Sequence, residues 1–103
     1  MTTKITAIFD NPTDPAEFEA IYHAGHVALA EALPGAQRVA AAKVWPKEDG
    51  SPTPAYRLLD VFFADYDAAS EAVQTQEAAL WFADLQRLAT GGVRVVFADV
   101  EID

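Results

Sequence analysis

Apolar positions recur along the chain with two different periods. Alternation at every second position predicts strands over 4–9, 38–45, 55–64 and 93–100. Apolar residues three and four positions apart predict a helix over 15–33 and a second helix in two segments, 65–74 and 77–89. The first helix stops at Pro34-Gly35 and the last at Gly91-Gly92, because these residues interrupt helical backbone.

The predicted elements follow one another in the order β-α-β-β-α-β. This is the order of the ferredoxin-like α+β fold, whose four-stranded antiparallel sheet carries its helices on one face. A chain of 103 residues is long enough for one hydrophobic core and too short for a second independent unit. We therefore expect a single domain over 1–103.

The last two strands are apolar on both faces. In the third strand, Leu58 and Phe62 lie on one face, and Val61 and Phe63 lie on the other. Helices within the chain cover only one face of such a sheet, and large exposed apolar patches are rare on monomers. We therefore expect a homodimer in which two sheets join face to face in a barrel-like unit.

Composition and charge narrow the classes of partner. The formal net charge is −9, and the seven Lys and Arg residues form no basic stripe, so we expect neither nucleic-acid nor membrane binding. The chain contains no cysteine, which excludes disulfides and thiolate metal sites. No apolar run reaches the ~20 residues of a membrane span, and no signal-peptide layout is present, so a cytoplasmic location is expected.

The first predicted helix contains both histidines of the chain. Helical geometry puts His26 at the edge of the apolar face, one turn beyond Tyr22, while His23 points towards solvent. An imidazole in that position titrates near neutrality and can act as a general acid or base. The alternative is a structural histidine that bonds to the backbone. A metal site with His23 would require further ligands such as Glu19, and the spacing does not demand one.

Asp60 is the unusual residue of the third strand, because it is a carboxylate among apolar neighbours. A buried carboxylate requires a partner, and the candidates are Arg38, Arg57 and His26. Two interpretations stay open: a structural ion pair or dimer contact, or a catalytic Asp60–His26 dyad.

A third group of residues is aromatic or apolar and has the composition of a small-molecule pocket. The same side chains at these spacings also suit a plain core. The candidate ligand-binding residues are Tyr56, Phe63, Trp81, Phe82 and Leu85.

Three motifs, in this order and spacing, resemble the EthD family of the dimeric α/β-barrel superfamily. They are Tyr22-x-x-x-His26 before Leu33-Pro34-Gly35, Pro54-Ala55-Tyr56-Arg57-Leu58-x-Asp60-x-x-Phe63, and Thr90-Gly91-Gly92-Val93. The chain departs from the family at Gln74-Thr75-Gln76-Glu77, where relatives commonly have a Ser-Pro-Glu-like turn and only Glu77 is kept.

The resemblance implies a dimer with a small cavity between the sheet and the helices of each subunit. It implies a cofactor-independent enzyme, of reductase, monooxygenase or cyclase and isomerase type, acting on a small apolar or aromatic substrate. His26 would transfer the proton, with Tyr22 and Asp60 positioning it. The alternative is a non-catalytic ligand-binding or accessory dimer that supports a partner oxygenase. We expect no bound metal or cofactor.

Overall fold

Four antiparallel strands form one sheet in the spatial order β2-β3-β1-β4. The computed structural model describes all residues from 1 to 103. The strands are β1 (Thr3–Phe9), β2 (Arg38–Lys43), β3 (Arg57–Phe63) and β4 (Val93–Asp99). The predicted ferredoxin-like α+β fold is confirmed. The main differences in length are in β2, which ends two residues before its predicted end, and β3, which begins two residues after and ends one residue before its predicted bounds.

The helices lie on one face of the sheet. They are α1 (Pro15–Ile21), α2 (Val27–Glu31), α3 (Tyr66–Ala72) and α4 (Gln76–Leu88), with a π-helical turn (Tyr22–His26) between α1 and α2. Asp14, Asp65 and Thr75 each begin a helix by accepting a hydrogen bond from the backbone N–H three residues later. No helix has the length and apolar character that crossing a membrane requires.

The core lies between the helices and one face of the sheet. The central strands β1 and β3 contribute alternate residues to it, as two-residue periodicity requires, and the edge strands contribute partly buried valines. The helices contribute their apolar stripes. Its largest fully buried apolar side chains are Ile5, Phe9, Leu59, Val61, Phe63, Trp81, Leu85 and Leu88.

The second face of the sheet, which we call the outer face, has no helix over it. The register places Leu58 opposite Ala42, Asp60 opposite Thr6 and Ala40, and Val96 opposite Thr6 from the other side. Val96 is exposed, and Leu58 is only partly buried. The two-sided apolar pattern therefore leaves apolar side chains on a face that the chain itself does not cover.

Candidate functional site

The periodicity predicted one continuous α-helix over 15–33. The structure differs, because a π-helical turn interrupts the helix at Tyr22–His26. Gly25 within this turn has φ 149°, a backbone conformation that side chains beyond glycine rarely adopt. Gly25 is non-helical, so the helix is kinked at this residue and α2 continues after the kink. Here the π-helical turn ends at His26, and that residue faces α4.

The His26 side chain is buried, and one of its ring nitrogens is held in place. Nδ1 lies 2.7 Å from Oδ2 of Asp84 on α4. The ring packs against Phe9 and Tyr22, with centroid distances of 5.8 and 5.5 Å. The second ring nitrogen, Nε2, is also buried and makes no hydrogen bond with any protein group. The imidazole is therefore oriented through Nδ1 and keeps one unused polar atom.

Burial and the hydrogen bond together set the protonation state of this pair. Desolvation lowers the pKa of His26 below its ordinary value, and the opposing effect of Asp84 does not compensate for it. Burial alone would raise the pKa of Asp84, but the hydrogen bonds from His26 and Arg87 outweigh it and hold that pKa below its ordinary range. At neutral pH Asp84 is therefore ionised and accepts Nδ1–H of a neutral imidazole, which leaves the lone pair on Nε2.

Asp84 connects His26 to a cation. Its second oxygen, Oδ1, accepts a hydrogen bond of 2.7 Å from Nη2 of Arg87, one turn further along α4. Sequence reasoning missed both residues, because an Asp and an Arg three positions apart on an amphipathic helix are typical of a solvated face. The three-residue spacing of Asp84 and Arg87 could have predicted that these two side chains pair with each other. Nothing in the sequence indicated that Asp84 also contacts His26.

A cavity of about 300 Å³ lies beside this group. Its lining combines apolar residues with Asp84 and Arg87, and the buried His26 lies directly behind it. The lining residues are Ile21, Ala24, Gly25, His26, Leu29, Asp84 and Arg87. A Cβ atom on Gly25 would meet no other atom within 4 Å, so the missing side chain leaves this wall open. The cavity has the size and mixed lining of a site for one small molecule.

Of the two interpretations left open for Asp60, the catalytic dyad with His26 is wrong. Asp60 projects from the outer face of the sheet, while His26 lies on the helix side, so the sheet separates them. Asp60 accepts a hydrogen bond from the Thr6 hydroxyl and lies 3.5 Å from Nζ of Lys4. Asp60 is thus in a structural ion pair with Lys4, rather than with Arg38 or Arg57.

The five candidate ligand-binding residues do not line the cavity beside His26. Phe63, Trp81 and Leu85 are fully buried in the core, and Phe82 packs against it. Tyr56 borders a separate cleft near the loop that joins β2 and β3. The positions of the other four match the plain-core interpretation, because large side chains at core spacing fill the space between helices and sheet.

Tyr22 joins the site to a second ionic cluster. The guanidinium carbon of Arg57 lies 4.4 Å from the centre of the Tyr22 ring, and Arg57 makes two hydrogen bonds to Glu19, of 3.0 and 2.7 Å. The Tyr22 hydroxyl is buried without a hydrogen-bond partner. Desolvation raises its pKa, so the phenol stays protonated. The hydrogen bonds from Arg57 hold the pKa of Glu19 below its ordinary value.

Metal binding has no support from these side chains. His23 is exposed, and no group of three or more histidine, aspartate or glutamate side chains is placed to hold an ion. The pairing of His23 and His26 with Glu19 or Asp60 is not formed, because Glu19 bonds to Arg57 and Asp60 to Thr6.

The fold and this site define a class: small ferredoxin-like α+β proteins with a buried His–Asp pair beside a compact cavity. Over 98 residues the chain is 35% identical to an uncharacterised 11.0 kDa protein of Rhodococcus erythropolis, from the thcB-thcC intergenic region. The alignment covers 95% of this chain and 94% of that protein. The chain belongs to the family of this Rhodococcus protein. No protein-family model matches the chain.

Solved structures confirm the EthD resemblance at the level of the fold. An EthD family protein from Bacillus halodurans superposes with a TM-score of 0.87 at 19% identity, over 97% of this chain and 99% of that one. A dimeric ferredoxin-like protein of unknown function from Jannaschia sp. gives 0.70 at 17% identity, over 97% and 100%. SnoaB, a cofactor-independent oxygenase from Streptomyces nogalater, gives 0.63 at 15% identity, over 99% and 94%.

Proposed function

We propose that this protein is a small-molecule enzyme in which His26 accepts a proton from a ligand bound in the cavity beside the π-helical turn. The observation that carries the proposal is the hydrogen bond between Nδ1 of His26 and Asp84, which leaves the basic Nε2 as the unused atom of the ring. Nε2 is buried beside the cavity and not exposed to it, so the proposal requires the side chains around His26 to move when a ligand binds. A histidine oriented by a carboxylate in this way is a recurrent general base.

The electrostatics of the pair support this role. A neutral His26 is ready to take a proton, and the ionised Asp84 stabilises the imidazolium that forms. Tyr22 packs against the ring and helps to exclude water from it. We assign Tyr22 this positioning role and assign Asp60 no role in catalysis, since it lies across the sheet.

Deuterium exchange into small carbon acids tests the proposal, with these compounds standing in for the physiological substrate. Small ketones, 1,3-dicarbonyl compounds and phenylacetones are incubated with the protein in D2O, and loss of the acidic C–H signal is followed by NMR. We expect catalysed exchange for at least one compound, and at least a hundredfold loss with His26→Gln, since general base catalysis contributes about 10²–10⁴-fold.

His23→Gln is the matched control, because it changes the other, exposed histidine of the same helical region. Its exchange rate should equal that of the wild type. Binding of these compounds without exchange would contradict the enzyme proposal and favour the alternative, a ligand-binding accessory protein.

We further propose that the outer face joins two copies of the chain. The apolar side chains on that face, and the dimeric state of the Jannaschia protein with the same fold, support this. Sedimentation velocity should show a dimer, and Val96→Glu on the outer face should produce monomers. Leu80→Glu is the matched control, because Leu80 is similarly exposed but lies on α4, on the opposite side of the sheet. A wild-type monomer at micromolar concentration would contradict the proposal.

A further inference from the structure

We propose that the cavity takes small organic weak acids as their anions, with the Arg87 guanidinium as the group that binds the negative charge. This inference rests on the proposed function, because it concerns the ligand of the same cavity. It adds the chemical class of that ligand and a specificity role for a residue outside the His–Asp pair.

Arg87 has donors left over after it pairs with Asp84. A guanidinium carries five N–H groups, and only Nη2 is hydrogen-bonded to Oδ1 of Asp84. The Arg87 side chain is 61% exposed and lines the cavity, so its other donors are accessible to a bound molecule. The pairing with Asp84 limits where the guanidinium can lie, and Arg is suited to planar anions such as carboxylates.

The charges around the cavity favour an anionic ligand after the ligand has transferred a proton to His26. Neutral His26, ionised Asp84 and Arg87 add up to no net charge. Arg87 is the only permanent cation among the lining residues. The other ionisable group that packs against the His26 ring is Tyr22, and β1 contributes only the uncharged Phe9. Protonated His26 would give the group one positive charge, which matches one negative charge on the ligand.

The proton balance of this step is complete within the site. Once ligand binding has exposed the buried Nε2 of His26, an O–H or activated C–H bond of the ligand breaks, the proton goes to Nε2, and the electron pair stays on the ligand. The resulting phenolate, enolate or carboxylate then faces Arg87. No oxidant, reductant or other co-reactant is required for this transfer.

The remaining lining limits the size and shape of the ligand. Ile21, Ala24 and Leu29 present an apolar wall, and the volume of about 300 Å³ is at the lower end for small-molecule sites. The ligand therefore combines a compact apolar body with one acidic group. A single guanidinium that already pairs with a carboxylate is a poor match for a polyphosphate.

The probe for this inference is 4-nitrophenol, because its phenolate absorbs visible light and its neutral form does not. Its methyl ether, 4-nitroanisole, has a closely similar shape but no acidic proton. We expect the wild-type protein to bind 4-nitrophenol as the phenolate, at least tenfold more tightly than 4-nitroanisole. Arg87→Gln should abolish this preference, while Arg87→Lys should keep part of it.

Arg94→Gln is the matched control, because Arg94 is exposed to a similar degree and pairs with Asp10 at 3.0 Å but lies outside the cavity. It should bind 4-nitrophenol as the wild type does. Equal binding of the two probes, absence of binding by either, or unchanged binding by Arg87→Gln would overturn the inference.

Failure of the proposed function is distinguishable from failure of this inference. Arg87-dependent binding of 4-nitrophenolate, in a protein that catalyses no deuterium exchange, would leave anion binding standing and remove the enzyme proposal. The opposite result is deuterium exchange that His26→Gln abolishes and Arg87→Gln leaves unchanged, together with equal binding of the two probes. That result would support the enzyme proposal and remove anion binding by Arg87.

Discussion

Replacing Asp84 by alanine should destabilise the protein through the loss of one buried hydrogen bond. The partner atom, Nδ1 of His26, belongs to a side chain with no solvent exposure, and the Asp84 side chain itself is 11% exposed. The substitution removes the only protein acceptor of this buried polar nitrogen and leaves at most a water from the adjacent cavity in its place.

The magnitude follows from the two bonds that Asp84 makes. The bond to His26 involves an ionised acceptor in a buried position and contributes about 1.5–3 kcal/mol. The bond to Arg87 contributes at most about 1 kcal/mol, because the Arg87 side chain is 61% exposed and screened by solvent. Alanine is the better helix former by about 0.5 kcal/mol, which offsets part of the loss. We expect a net loss of about 2 kcal/mol in the free energy of unfolding.

Thermal unfolding followed by circular dichroism measures this loss. For a domain of this size, about 2 kcal/mol corresponds to a decrease in Tm of roughly 8–16 °C. Arg87→Ala is the control, since it removes only the exposed pair and should lower Tm by less than about 5 °C. Equal effects of the two substitutions would refute the hydrogen bond to His26 as the main energetic contribution of Asp84.

Three further predictions concern glycine positions and pH. Gly91→Ala should cost about 2–3 kcal/mol in chemical denaturation, because its Cβ would lie 1.9 Å from the backbone oxygen of Asn11; wild-type stability would contradict this packing. Gly25→Ala should cost about 1–3 kcal/mol through its φ of 149° alone, since its Cβ meets open space, and a neutral result would argue against the π-helical turn. Stability should fall as pH decreases below about 6.5, because the unfolded chain then binds a proton that His26, with its lowered pKa, resists in the folded state. Denaturant titrations across this window should show a shallower dependence for His26→Gln, and an unchanged dependence would assign the effect to other groups.

The fold was predictable from local patterns because strands and helices have distinct periods. The third predicted strand, 55–64, contains the observed β3 (Arg57–Phe63), and its alternation assigned Phe63 and Leu58 to the correct faces. The π-helical turn was not predictable in the same way. Gly25 is a poor helix former, which signals an irregularity, but spacing alone does not state what form the irregularity takes.

The sequence pattern itself argues against the dyad of Asp60 with His26. Alternation places Asp60 on the face opposite Leu59 and Val61, which point to the helices, so a contact with the helical His26 required passage through the sheet. The true partner, Asp84, is 58 residues from His26 along the chain. Periodicity fixes which face of a helix a residue occupies, but it does not reveal which other helix that face meets.

The arrangement around His26 costs stability that an apolar core would not. Nε2 of His26, the hydroxyl of Tyr22 and Nε1 of Trp81 are buried without hydrogen-bond partners in the protein, and each such atom carries an unfavourable desolvation energy of about 1–3 kcal/mol. A leucine in place of His26 or Tyr22 would avoid that cost at its position, and most of the buried side chains are apolar. Proteins tolerate unfavourable burial of this kind at functional sites more often than elsewhere. The unfavourable burial of Nε2 therefore gives a second reason, besides the adjacent cavity, to test His26 as a functional residue.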